Sequence, residues 1–127
     1  MAKNIYDDLD LLYREIWGRS LHHGAWITGY ESIKEAKEEL IGLALKQLDP
    51  KGTIADIGCG YGILAHKILD HYRCEVLANT NSEKQALQII PRAGLTILQG
   101  DWLQQKLEPK SLSGVIAVES LSHFDSF

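Results

Sequence analysis

Between Asp56 and Gly62 the chain reads DIGCGYG, an acid and an aliphatic residue followed by three glycines alternating with Cys59 and Tyr61. Three missing side chains within seven residues cost conformational entropy, so something must approach this backbone closely. A glycine-rich turn after the first strand of a parallel sheet lies at the mouth of the ligand crevice, and two cofactor classes use it. The dinucleotide fingerprint is G-x-G-x-x-G, with an acid about 20 residues on for the ribose. Here Gly62 comes one residue early, Ile63 fills the third place, and Ala78-Asn79-Thr80-Asn81-Ser82 offers no carboxylate. That disfavours a nicotinamide dinucleotide. The alternative is a cofactor without a pyrophosphate, lying along the turn with its amino-acid end near the backbone.

The elements that must hold this turn are legible on both sides of it. Ser32 and Glu35 form a capping box, and Ile33, Ala36, Leu40, Ile41, Ala44, Leu45 and Leu48 share one helical face. Asp49-Pro50-Lys51-Gly52 stops that helix. Strands are expected at 53–57, 74–79, 95–98 and 114–119. Helices are expected at 63–72 and at 82–90, the latter with its own Ser82–Gln85 box and ended by Pro91, and a helical turn or two at 102–107. The alternation predicts βαβ units, and apolar runs without polar alternation predict strands covered on both faces. The fold class is therefore α/β: a Rossmann-like, doubly wound parallel sheet of about four strands behind an N-terminal helical cap. Residues 1–30 are read as a short helix and a Gly- and aromatic-rich lid segment anchored by Trp17 and Trp26, and residues 31–127 as a partial cofactor-binding domain.

Length and charge narrow the partners. A chain of 127 residues allows one domain. Its net charge of −4 and the lack of a basic block argue against nucleic acid. No apolar stretch approaches a membrane span, and the N-terminus lacks a signal-peptide core. Cys59 and Cys74 are lone thiols without metal-ligand spacing, which points to reduced cysteines and a cytoplasmic location.

Together with three segments downstream and one upstream, the turn resembles the first motif of class I S-adenosylmethionine-dependent methyltransferases. ANTNSEKQ (78–85) resembles the T-x-S-x-x-Q segment of the small-molecule subgroup, which includes the cyclopropane-fatty-acid-synthase-like and tocopherol-methyltransferase-like members. GDW (100–102) and VESLSHF (118–124) resemble the motifs after the third and fourth strands, and LHHGAW (21–26) an N-terminal segment of that subgroup. The resemblance implies S-adenosylmethionine as cofactor and methyl transfer to a small-molecule acceptor. It places Asp56, Gly58, Cys59 and Gly60 at the methionine end, Thr80 and Gln85 near the ribose, and Glu119 at the crevice floor. Asp101 falls near the adenine, where it would accept from the exocyclic amine, with Trp102 as an apolar wall.

Other residues carry weaker chemistry. His22, His23 and His123 are candidate catalytic bases, against a plainer role in loop hydrogen bonding, and their spacing does not suggest a metal site. His66 and His71 read as solvated helix positions. Cys59 has no paired base that would make it a nucleophile. The resembled sheet has seven strands and four are counted here, so the expectation is a cofactor-binding half: a homo-oligomer, or a chain lacking its C-terminal half. A non-catalytic S-adenosylmethionine-binding or interaction module is the alternative, and a nucleotide-dependent oxidoreductase a third reading.

Overall fold

The computed structural model of the chain describes residues 5–121. His123 lies outside them, as does the end of the 118–124 motif.

Two short helices, α1 (Ile5–Asp8) and α2 (Asp10–Ile16), precede a loop and the long helix α3 (Ile33–Leu48). There follow β1 (Gly52–Ile57), α4 (Ile63–His71), β2 (Cys74–Thr80), α5 (Glu83–Gln88), β3 (Leu95–Gln99), a single 3-10 turn at Trp102–Gln104, and β4 (Gly114–Ile116). The four strands are all parallel, in the order β3-β2-β1-β4. The chain reverses direction across the sheet at β1, which has β2 on one side and β4 on the other. A crevice therefore opens beyond the carboxyl end of β1.

The capping box at Ser32 and Glu35 forms in full. Ile41 and Leu45 of α3 meet Leu64, Ala65 and Ile68 of α4 in one cluster with Ile54, Val76, Ala78 and Ile116 of the sheet. Strand alternation turns Ala55 and Ile57 to the other face, where they too are buried. β1 is thus covered on both faces, in line with its lack of regular polar alternation.

Several boundaries differ from the periodicity. Ile33 is 68% exposed, because the first turn of α3 projects past the packed cluster. α5 ends at Gln88 and Ile89 is extended, since Ile90 precedes Pro91 and is steered away from helix. The Ser82–Gln85 box is only half made: the Ser82 hydroxyl accepts from the Gln85 amide, but the Gln85 side chain accepts from Thr80 Oγ1 instead. The stretch after Asp101 makes one 3-10 turn before Gln105 becomes extended. β4 pairs with β1 only over Gly114–Ile116, short of the expected 119.

Trp17 and Trp26 are each about half exposed, so they are not the anchors of the N-terminal loop. Polar contacts hold it to α3: Ala25 N donates to Ala36 O at 2.8 Å, and Lys37 Nζ to Ser20 O at 2.8 Å. Among the described residues no helix is long and apolar enough to cross a membrane.

Candidate functional site

The glycine turn leaves β1 with Gly58 at φ +71° and Gly60 at φ +56°, conformations that side-chain-bearing residues rarely adopt. The two glycines are needed for different reasons. A Cβ on Gly58 would lie 2.2 Å from Ser120 Cβ, so this glycine admits the segment after β4. Ser120 in turn donates its hydroxyl to Ile57 O at 2.6 Å and closes the turn onto β4. A Cβ on Gly60 would meet no protein atom within 4 Å. Gly60 also lines the cleft, so a bare backbone is presented there to whatever enters.

Asp56 lies near the end of β1 and lines the same cleft, only 2% exposed. Its Oδ2 is buried without a hydrogen-bond partner. Burial pushes its pKa up to about 7. A buried carboxylate oxygen with no partner is costly, and a cationic donor entering the cleft would relieve it. Further along the turn, the Cys59 amide donates to Asn79 O at 2.7 Å. Burial, reinforced by the Asp56 carboxylate, pushes the Cys59 thiol well above its ordinary range, so it stays protonated and is no nucleophile.

The end of β2 forms the second wall. Thr80 and Gln85 are buried and joined by the 2.8 Å bond from the Thr80 hydroxyl to Gln85 Oε1. Asn79, which no motif in the sequence singles out, donates through Nδ2 to Leu98 O and Gly100 O, both at 2.9 Å. It thereby fixes the β3 exit, where Asp101 and Trp102 stand half-buried. Asp101 Oδ1 accepts from Leu103 N at 3.0 Å and caps the 3-10 turn.

Glu119 closes the third side, in a left-handed conformation (φ +55°) that is uncommon for a residue with a side chain. Its carboxylate stands at the rim, with the side chain 38% exposed, and not at the floor where the resemblance placed it. His23 from the N-terminal loop donates to Oε2 through its backbone amide at 3.0 Å, and its Nδ1 lies 2.7 Å from the same oxygen. Burial alone would raise the Glu119 pKa, but the contacts from His23 outweigh it and hold the carboxyl below its ordinary value. His22 lines the cleft with Nδ1 2.6 Å from His23 O. Of the candidate bases, then, His23 is engaged with Glu119 and His22 faces the cavity. His66, expected to be solvated, instead bonds the Ile90 carbonyl through Nε2 at 2.9 Å.

The structure brings Asp56, Gly58, Cys59, Gly60, Thr80, Gln85, Asp101, Trp102 and Glu119 around one cleft. Its acids lie on three sides, and no group of acids, histidines and cysteines among the described residues is arranged to hold a metal ion. At Asp56 the cleft suits a cationic or hydrogen-bond donor. The lining also carries the cations Arg19, Lys37 and Lys67.

No family model matches the chain. Over 134 residues it is 29% identical to (+)-O-methylkolavelool synthase of Herpetosiphon aurantiacus, covering 95% of this chain and 47% of that protein. Over 138 residues it is 29% identical to 24-methylenesterol C-methyltransferase 2 of Arabidopsis thaliana, covering 96% of this chain and 38% of that protein. Among solved structures it resembles a mycolic acid cyclopropane synthase complexed with SAH and CTAB, at a TM-score of 0.79 and 24% identity. That match covers 93% of this chain and 45% of the other. The chain thus spans less than half the length of these relatives. The fold is the Rossmann-like one of methyltransferases, and the resemblance to the class I enzymes of the small-molecule subgroup holds across nearly the whole chain.

Proposed function

We propose that this chain binds S-adenosylmethionine in the cleft between the glycine turn and Asp101, and that it is the cofactor-binding half of a methyltransferase acting on a small molecule. The observation that carries the reading is the partnerless buried Oδ2 of Asp56 beside the open backbone of Gly60. An α-ammonium group laid along that turn gives the carboxylate the partner it lacks, and ionises it. Thr80 and Gln85 lie where a ribose would pass, Asp101 has a second carboxylate oxygen for an exocyclic amine, and Trp102 supplies an apolar wall. Cys59 lines the cleft between the two glycines.

When bound, the sulfonium supplies an electrophilic methyl group. The residues of this chain hold it in line and keep water away, which is the main demand of such a displacement. His22 and Glu119 face the side on which an acceptor would approach. A cytoplasmic setting agrees with two unpaired cysteines. The division at residue 30 agrees with a loop that reaches the cleft rim through His22 and His23.

Parallel calorimetric titrations with S-adenosylhomocysteine and NADH test this. The expected result is binding of the first and none of the second. Gly60→Val should abolish binding by filling the approach, and Asp101→Ala should cost about 1–3 kcal/mol. Equal binding of S-adenosylhomocysteine by all three proteins would overturn the assignment.

A further inference from the structure

Asp10 and Tyr61 are distant in sequence and buried against each other. Tyr61, between two glycines of the turn, is 2% exposed, and its hydroxyl donates to Asp10 Oδ1 at 2.6 Å. Asp10, in the first turn of α2, is 5% exposed. Its other oxygen accepts from Arg14 Nε at 3.0 Å, and Gln88 Nε2 of α5 reaches both oxygens at 3.3 and 3.4 Å. Burial opposes the charge on Asp10, but donors from Tyr61, Arg14 and Gln88 outweigh it and keep the carboxyl below its ordinary value. This is a fully partnered buried carboxylate, unlike Asp56.

A second tie runs parallel to the first. Asp7 of α1 accepts from the Ser82 hydroxyl and from the Lys84 amide (3.2 Å), and Lys84 Nζ donates to the Asp7 carbonyl. Ser82 is the N-cap of α5 and follows Thr80 by two residues. The N-terminal helices therefore grip both loops that wall the cleft: the glycine turn through Tyr61, and the β2–α5 turn through Ser82. Beyond Ile57 and Asn79, the last residues paired between β1 and β2, the backbone tie between these segments is the Cys59 amide on Asn79 O, at the start of the glycine turn.

We propose that Asp10 and Tyr61 are positioning residues for the cofactor cleft, with Asp7 as their companion, and that α1 and α2 are a clamp that sets the glycine turn against the β2–α5 turn. The inference rests on the reading of the cleft as an S-adenosylmethionine site. Its geometry explains why a large side chain, Tyr61, stands inside a turn of three glycines. A phenyl ring would fill the same space but would leave the turn untied from α2.

The test uses the full chain with two readouts. In the ligand-free protein, amide exchange is followed at Cys59 and Gly62, whose N–H groups bond Asn79 O and Cys59 O. Tyr61→Phe and Asp10→Ala should each speed exchange there, whereas Asp10→Asn, which keeps an acceptor for the Tyr61 hydroxyl, should restore most of the protection. In titrations with S-adenosylhomocysteine, Tyr61→Phe and Asp10→Ala should each weaken binding roughly tenfold, and the double variant no further. Lower melting temperature with unchanged turn exchange, or faster exchange with unchanged affinity, would reduce the pair to a structural contact and overturn the proposal. If wild type binds no S-adenosylhomocysteine, the cofactor reading fails, and with it the role of the clamp in binding. Turn exchange would then still show whether the clamp exists.

Discussion

Asp56 decides most at the scale of single residues, because its Oδ2 is a buried carboxylate oxygen left without a donor among the described residues. Its folded pKa of about 7 lies above the ordinary value of 3.8. Between those values the native state holds more protons than the unfolded chain, so stability of the free protein falls as pH rises through that window. Asp56→Asn should remove this slope and make the free protein more stable than wild type at pH 8, as read from urea unfolding at several pH values. The same change should weaken S-adenosylhomocysteine at least tenfold by removing a charged acceptor. Wild type titrated at pH 6 should release protons on binding, seen as a dependence of heat on the buffer's ionisation enthalpy. The acid and glycines of DIGCGYG were legible because their types are costly without a ligand or close neighbour. Ser120 was not, since its approach to Gly58 joins distant segments and leaves no local pattern. Asn79 was hidden at the end of an apolar strand, where its bonds to Leu98 O and Gly100 O are made only once β3 pairs.

Elements were legible in kind and less so in extent, because periodicity reports a buried face while ends are settled by tertiary partners. Helix α3 follows its capping box closely, yet Ile33 protrudes, since the face it shares runs past the sheet. The Ser82 signal was divided when Thr80 took the Gln85 side chain, a competition the spacing S-x-x-Q cannot show. The loop at 18–31 is the element whose behaviour follows from its fastenings. Its tie to the cleft rim, His23 to Glu119, is exposed enough to be worth at most about 1 kcal/mol after solvent screening. A loop fastened to α3 but only weakly to the rim can shift at the rim over a ligand. Saturating S-adenosylhomocysteine should therefore slow proteolysis between residues 18 and 30, and Glu119→Gln should speed it in the free protein. Identical cleavage patterns with and without ligand would show a fixed loop.

For the whole molecule, the sheet's two edges differ. The β3 edge carries exposed Thr96 and Gln99, polar residues of the kind that discourage pairing. On the other side, among the described residues β4 has no strand beyond it. It offers free backbone donors and acceptors beside Val115, which is 49% exposed, and Ile116, with Ala117 and Val118 following. Neither charge, proline nor bulge guards that run. The acids and histidines that could serve an acceptor, Glu119 and His22, stand next to this same edge. Protein added along β4 would therefore lie beside the cleft rim. The expectation is that this chain associates through β4, with a second copy of itself or with a further segment supplied in trans, and that alone it binds cofactor without turning over an acceptor. Light scattering at several concentrations should show mass rising above that of the monomer. Val115→Lys should reverse the rise by burying a charge in any strand pairing, while leaving S-adenosylhomocysteine affinity unchanged. A monomer at every concentration, with measurable methyl transfer to a panel of small acceptors, would mean that the β4 edge is tolerated in solution.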